Sequence, residues 1–74
     1  MKLLDMLKQG FIKIDEQPRC YKQITQSLVV VCDDRGNGDY ELGDLVVLNG
    51  NTTPEEQIRI EQEYADKFGR IPVI

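Results

Sequence analysis

Histidine is absent from this chain of 74 residues, and Ser27 is its only serine. Without histidine the chain has no Ser-His or Cys-His nucleophile and no histidine general base. The two cysteines, Cys20 and Cys32, fall short of the four Cys or His ligands that a structural zinc site takes. We therefore predict a protein that is not an enzyme and that uses no cofactor.

Long apolar runs are also missing. No stretch approaches the roughly 20 apolar residues of a transmembrane helix, and Asp5 and Lys8 interrupt the apolar N-terminus before a signal-peptide core forms. These features predict a cytoplasmic protein without a membrane span. In that compartment Cys20 and Cys32 are expected to be free, buried thiols rather than a disulfide.

Charge is unevenly distributed along the chain, whose 13 carboxylates and nine cations give a net charge of −4. Residues 1–25 are net basic and residues 26–74 are net acidic. An acidic protein is a poor general binder of nucleic acid, so binding through Lys13, Arg19 and Lys22 remains a minor hypothesis. The asymmetry favours docking on a basic partner or head-to-tail self-association.

Two β-branched apolar runs, residues 28–32 and 45–48, flank a loop rich in Gly, Asn and Asp. This is the composition of a β-hairpin. The first run shows no alternation, which predicts a central strand covered on both faces or nearly so. A bulge or bend is predicted at Gly43.

The N-terminal part predicts one short helix and two strands. Residues 2–9 form the helix, and Gly10 is its expected C-terminal cap. Its apolar stripe is predicted to comprise Leu3, Leu4, Leu7 and Phe11. Residues 11–16 alternate with a period of two, as in a half-buried strand, and residues 19–25 form a weaker second strand.

A longer helix is predicted near the C-terminus, and its start is the clearest boundary in the chain. Thr53 is the expected N-cap, Pro54 occupies the first helical position, and Glu56 completes a capping box. The helix should run to about Phe68 and be capped by Gly69. Its predicted apolar arc comprises Ile58, Ile60, Tyr64, Ala65 and Phe68.

Glu61 interrupts this arc. Either it reaches solvent or pairs with a nearby cation, or the helix face meets a partner chain in which a paired carboxylate sets the register. The apolar tail, residues 70–74, is restricted by Pro72 to an edge strand or an extended segment. The residues predicted for self-association are Glu61, Ile71, Val73 and Ile74.

The order of these elements predicts an α+β fold. We expect a small antiparallel sheet of three to five strands, with the short N-terminal helix and the longer C-terminal helix packed on one face. A small, partly open barrel is the alternative. No linker or repeat divides residues 1–74, so a single domain is predicted, near the lower size limit for a self-sufficient core.

Carboxylates concentrate in the hairpin loop and at the start of the C-terminal helix. The loop partly resembles a calcium-binding loop with Asp33 at position 1 and Asp44 at position 12, but Arg35 stands at position 3, where a ligand oxygen is needed. We therefore predict no metal site. The predicted partner-binding residues are Asp33, Asp34, Asp39, Glu41, Asp44, Glu55 and Glu56.

Two functional hypotheses of different class follow. The first is a non-enzymatic interaction or regulatory protein that docks on a basic protein partner through these carboxylates, with binding that weakens in salt. The second is a homo-oligomeric building block, such as a homodimer, whose C-terminal segment completes a neighbour's sheet. A protein this small without catalytic groups is compatible with an origin in a phage or mobile element, which composition alone does not establish.

Overall fold

A four-stranded antiparallel sheet, with its strands in chain order, forms the centre of the molecule. The computed structural model describes residues 1–69. The elements are α1 (Leu3–Lys8), β1 (Ile12–Lys13), β2 (Arg19–Thr25), β3 (Leu28–Asp34), β4 (Tyr40–Val47) and α2 (Pro54–Phe68). This is the predicted α+β arrangement, and the sheet is open rather than a barrel.

Both helices lie on one face of the sheet, as predicted. Met6 of α1 and Ile60 and Phe68 of α2 join a single buried cluster with strand residues. The strand members of that core are Cys20, Leu28, Val30, Cys32, Tyr40 and Leu42. Among residues 1–69 no helix is both long enough and apolar enough to cross a membrane.

Strand β1 is shorter than the predicted strand over residues 11–16. Ile12 and Lys13 pair with β2, and the Ile14 N–H donates to the Arg19 carbonyl at 2.9 Å. The chain then turns through Glu16, whose φ of 62° lies in the left-handed region. Phe11 is not part of the strand. Its buried ring instead meets Phe68 edge-on, with the ring centroids 5.5 Å apart.

Strand β3 occupies the predicted interior position, between β2 and β4. However, Leu28, Val30 and Cys32 are fully buried, whereas Val29 and Val31 point to the other face and stay half exposed. The prediction that both faces of β3 are covered is therefore wrong for residues 1–69. A continuous β-branched run occurs both in strands with one covered face and in strands with two, so the sequence did not distinguish these cases.

The predicted bulge at Gly43 is confirmed. Val31 stands opposite Asp44, and Cys32 opposite Leu42, so Gly43 is the extra residue in β4. A Cβ atom at this position would collide with the carboxylate of Asp33 on the neighbouring strand. Any other residue at this position would have to displace the Asp33 carboxylate, so the packing of Asp33 over the bulge favours glycine.

The apolar stripe predicted for α1 is wrong at two positions. Met6 is the fully buried residue, while Leu4 and Leu7 are 72% and 42% exposed. At 100° per residue, Leu4 and Leu7 lie about 160° and 100° around the helix from Met6, whereas Leu3 lies only about 60° away and is partly buried. A helix of one and a half turns touches the core along one side only.

Both ends of α2 lie at the predicted residues, but of the predicted capping box only the bond to the Thr53 hydroxyl is present within residues 1–69. The Thr53 hydroxyl accepts a hydrogen bond from the Glu56 N–H at 3.2 Å, and Pro54 opens the helix. At the other end Gly69 has a φ of 79°, and its N–H donates to the Ala65 carbonyl at 2.9 Å. Local capping chemistry thus determines the limits of this helix.

The apolar arc of α2 is confirmed except at one residue. Ile60 and Phe68 are buried, and Tyr64 and Ala65 are partly buried against the core. Ile58 is 67% exposed, contrary to the prediction. It lies at the margin of the arc, beyond the width that contacts the sheet.

Removing the N-cap hydroxyl in Thr53→Ala is expected to lower the free energy of unfolding by about 1 kcal/mol, because the Glu56 N–H loses its acceptor. Thr53→Ser keeps the hydroxyl and serves as the matched control, with little expected change. Urea denaturation followed by far-UV circular dichroism measures both. Equal stabilities of the two variants would contradict the capping role of the hydroxyl.

Candidate functional site

Asp33 is bound to its neighbour across the sheet. Its Oδ1 accepts a hydrogen bond from the Arg19 Nε at 2.8 Å, and the two residues stand directly opposite each other on β2 and β3. The Asp33 side chain is 26% exposed, against 54% for Arg19. This carboxylate also lies over Gly43. It therefore packs against the bulge in β4 and is only partly available to solvent.

Asp34 organises the hairpin loop. Its Oδ1 accepts hydrogen bonds from the N–H groups of Gly36 and Gly38 at 2.8 and 3.0 Å. Asn37 does the same for the Asp39 N–H at 2.9 Å. With Asp33 at position 1 of a calcium loop, Asn37 would stand at position 5, so its turn-forming bond engages an oxygen that a calcium ion would need. Among residues 1–69 no group of three or more His, Cys, Asp or Glu side chains is arranged to hold a metal ion.

Asp39 anchors the N-terminus on the outer edge of β4. Its Oδ1 lies 3.2 Å from the Lys2 Nζ and 3.8 Å from the terminal amine. Beside it the Tyr40 N–H donates to the Met1 carbonyl at 2.7 Å, and the terminal amine donates to the Tyr40 carbonyl at 3.2 Å. The N-terminal residues thereby cover the first part of this edge.

Asp44 satisfies a backbone group farther along the same edge. The Leu42 N–H donates to the Gly69 carbonyl at 2.8 Å, and after the bulge the Leu45 N–H donates to the Asp44 Oδ1, also at 2.8 Å. Charged side chains that occupy edge N–H groups protect a sheet from pairing with other strands. Asp44 therefore makes this part of the β4 edge less able to pair with another strand.

The remaining predicted carboxylates, Glu41, Glu55 and Glu56, are engaged in no side-chain hydrogen bond or ion pair within residues 1–69. Glu55 is exposed, and the other two are half exposed. Glu41 lies near Gly69, at the C-terminal end of α2, whereas Glu55 and Glu56 lie in its first turn. The seven carboxylates thus do not converge on one point.

The charge asymmetry of the sequence becomes an asymmetry of the folded molecule. Because the strands keep chain order and α2 packs on β4, residues 39–69 lie together at one side of the sheet, where the N-terminal amine and Lys2 join them beside Asp39. Residues 39–69, which we call the acidic side, carry eight carboxylates and two cations, a net charge of −6. Residues 1–38 carry six cations and five carboxylates, a net charge of +1.

Two of the three cations of the nucleic-acid hypothesis are bound within the chain. The Lys13 Nζ donates to the carbonyls of Ile14 and Gln17, and Arg19 binds Asp33. The Lys22 side chain passes beside Gly10. These contacts add no support to that hypothesis, which stays a minor one.

A shallow depression separates β4 from α2. Its lining residues are Leu42, Gly43, Asp44, Leu45, Gln57 and Glu61. Glu61 is half buried and faces β4, as its position within the apolar arc indicated. The predicted self-association residues Ile71, Val73 and Ile74 lie outside the described residues.

Comparison with known proteins supplies no relative. No protein-family model, no curated protein and no solved structure matches this chain. Its function is therefore inferred from its own residues.

Proposed function

We propose that the protein is a small, non-enzymatic interaction protein that docks on a basic surface of a protein partner. The observation that supports this most strongly is the net charge of −6 on the acidic side, which remains negative when Lys2 and the N-terminal amine beside Asp39 are counted with it. Such a separation of charge orients the molecule during encounter and raises its association rate with a basic surface.

The carboxylates contribute to this docking in two ways. Four of them form hydrogen bonds or ion pairs with other groups of the same chain and thereby shape the loop and the sheet edge. These are Asp33, Asp34, Asp39 and Asp44. Glu41, Glu55 and Glu56 are not bound in this way and are the expected contact residues. A carboxylate already paired at short range has less attraction left for a partner's cation.

Neutralising the contact residues in the triple variant E41Q/E55Q/E56Q is expected to weaken binding to the partner about tenfold, since three rim charges contribute roughly 0.5 kcal/mol each. The matched control is D5N/D15N/E16Q, which removes the same charge from residues 1–38. Tagged wild-type protein and both variants would capture the partner from the native host's lysate at low and high salt. Calorimetry with the purified partner then gives the affinities.

Support requires capture of one stoichiometric partner that salt weakens, that E41Q/E55Q/E56Q loses and that D5N/D15N/E16Q keeps. Equal losses in the two variants would mean that only net charge matters and would contradict a defined acidic surface. Capture that is unaffected by salt would contradict electrostatic docking altogether.

The second candidate is a homo-oligomeric building block that completes sheets through its C-terminal segment. One contact favours it. The Gly69 carbonyl accepts a hydrogen bond from the Leu42 N–H, so the chain reaches the outer edge of β4 at the last described residue. Association of this kind should survive high salt and fail when residues 71–74 are deleted.

A further inference from the structure

Asparagine followed by glycine occurs twice in this chain, at Asn37 and Gly38 in the hairpin loop and at Asn49 and Gly50 in the loop after β4. In such a pair the glycine nitrogen can attack the Cγ carbon of the asparagine side chain, because the glycine carries no Cβ that hinders its approach. The bond from Cγ to the side-chain nitrogen then breaks and ammonia leaves, which gives a five-membered succinimide ring. Water opens this ring to aspartate or isoaspartate, so the net reaction replaces the side-chain NH2 group by OH.

The two asparagine side chains are held in the same way. Both residues are exposed, and each Oδ1 accepts a hydrogen bond from the backbone N–H two residues ahead. The donor is Asp39 at 2.9 Å in the hairpin loop and Asn51 at 3.0 Å in the loop after β4. Negative charge develops on this oxygen during the attack, and a donor that is already in place stabilises it. The side-chain carbonyl is therefore equally prepared at both sites.

The two attacking nitrogens differ. The Gly38 N–H donates to the Asp34 Oδ1 at 3.0 Å, whereas within residues 1–69 the Gly50 N–H donates no hydrogen bond. The nitrogen has to lose its proton in order to attack, and beside a carboxylate this places two negative charges in contact, which is unfavourable. Attack by Gly38 also breaks its bond to Asp34. The Gly50 nitrogen meets neither obstacle.

The surroundings of the two glycines differ in the same direction. A Cβ atom on Gly50 would meet no atom within 4 Å, whereas one on Gly38 would lie 3.5 Å from the Lys2 Nζ. The Asp34 carboxylate also accepts the Gly36 N–H at 2.8 Å, which fixes the chain on the other side of Asn37. Ring closure moves the glycine nitrogen toward the asparagine side chain. The loop after β4 leaves space for this movement, and the hairpin loop opposes it.

We propose that Asn49 is a site of spontaneous deamidation in the folded protein and that Asp34 protects Asn37 from the same reaction. Water is the only co-reactant. The product carboxylate at position 49 lies within the acidic side and adds one negative charge to its net charge of −6. Because the reaction is irreversible, the charge of this side increases with the age of the molecule. This inference does not depend on the docking proposal.

Incubation of the purified protein at neutral pH and physiological temperature, in water enriched in heavy oxygen, tests the proposal. The oxygen that water adds marks the molecules that reacted during the incubation, and digestion then follows in ordinary water. Peptide mapping by mass spectrometry gives the rate at each asparagine. In the folded wild type Asn49 should react about tenfold faster than Asn37, which is the effect expected from one hydrogen bond to a charged group.

Variants in each loop separate the two sites. Asp34→Ala removes the acceptor of the Gly38 N–H and should raise the rate at Asn37 about tenfold without changing the rate at Asn49. Asp34→Asn keeps an acceptor oxygen without the charge and should raise the rate at Asn37 less. Gly50→Ala is the matched variant of the other loop. Its Cβ has space, and it should slow the reaction at Asn49 alone, since a methyl group hinders the attack.

Incubation of the wild type in urea separates the effect of the structure from that of the sequence. It also keeps the test open if Asp34→Ala does not fold, which far-UV circular dichroism shows. In the unfolded chain neither glycine nitrogen is held by a carboxylate, so Asn37 and Asn49 should react at similar rates.

Equal rates at the two asparagines of the folded wild type, or an unchanged rate at Asn37 in folded Asp34→Ala, would overturn the protection by Asp34. So would a tenfold difference that persists in urea, since that outcome assigns the difference to neighbouring residues in the sequence. If Asn49 stayed intact in the folded protein while it reacted in the unfolded chain, the assignment of this site would be wrong.

Discussion

Leu42→Ala is expected to lower the free energy of unfolding by about 2–5 kcal/mol. Leu42 is 1% exposed and stands opposite Cys32 on the core face of β4, where it also lines the depression beside α2. Truncation removes buried apolar atoms and leaves a cavity between the sheet and the helix. Both effects reduce stability because a rigid strand and a capped helix collapse poorly around the space.

A loss of this size is large for so short a chain. At roughly 0.05–0.15 kcal/mol per residue, the total stability is on the order of 4–11 kcal/mol, so Leu42→Ala should be marginally folded at room temperature. Leu48→Ala removes the same atoms from a side chain that is 55% exposed and should cost less than about 0.5 kcal/mol. Urea denaturation measures both variants, and similar losses would contradict the assignment of Leu42 to the core.

Elements defined by local chemistry were predictable from the sequence. Thr53, Pro54 and Gly69 mark the ends of α2 because a cap needs only groups within one turn of the helix. The bulge at Gly43 was predictable for the same reason, since a glycine within a strand pattern indicates a local irregularity. Each of these features depends on a few neighbouring residues.

The coverage of each face was not predictable, because it depends on residues distant in the chain. Val29 and Val31 have the same side chain as Val30, yet only Val30 is buried. In α1 the short helix left several orientations open, and the core selected the side that buries Met6 rather than Leu4. For the same reason the sequence did not show that one face of the sheet is turned away from both helices.

The carboxylates of the candidate site were found from sequence, but their partners were not. Asp33 binds Arg19, 14 residues earlier in the chain, and Asp39 lies beside Lys2. Strand register alone creates these contacts, and the sequence specifies register only through the whole pattern of pairing. The site is consequently a smaller set of unbound carboxylates than composition indicated.

The stability of the protein is expected to fall steeply above about pH 9, because of its two buried thiols. Cys20 and Cys32 stand opposite each other on β2 and β3, fully buried and unlinked, as predicted. Burial raises the pKa of the Cys20 thiol from 9.0 to about 11, with Asp33 adding to the effect and Lys13 opposing it. Burial, and then the neighbouring Cys20 and Asp33, raise the pKa of the Cys32 thiol to about 12, although the N-terminal amine opposes this.

These values give the sign of the pH dependence. In the unfolded chain the thiols release their protons near pH 9, while the folded protein retains them to about pH 11 and 12. The unfolded state thus binds fewer protons across this window, so stability is fully present below pH 9 and is lost as the pH rises. Each thiol contributes a slope of up to about 1.4 kcal/mol per pH unit. Burial raises the pKa of Tyr40 and Tyr64 as well, which adds in the same direction at higher pH.

Urea denaturation at intervals from neutral to strongly alkaline pH measures this effect. The free energy of unfolding should be level to about pH 9 and then fall, and Cys32→Ala should fall less steeply because one titrating thiol is gone and the tyrosines remain. At pH 8 an alkylating reagent should modify the native thiols at least a hundredfold more slowly than the unfolded ones, since the thiolate is the reactive form. Labelling at equal rates in the two states, or an unchanged slope in Cys32→Ala, would contradict the raised pKa values of these buried thiols.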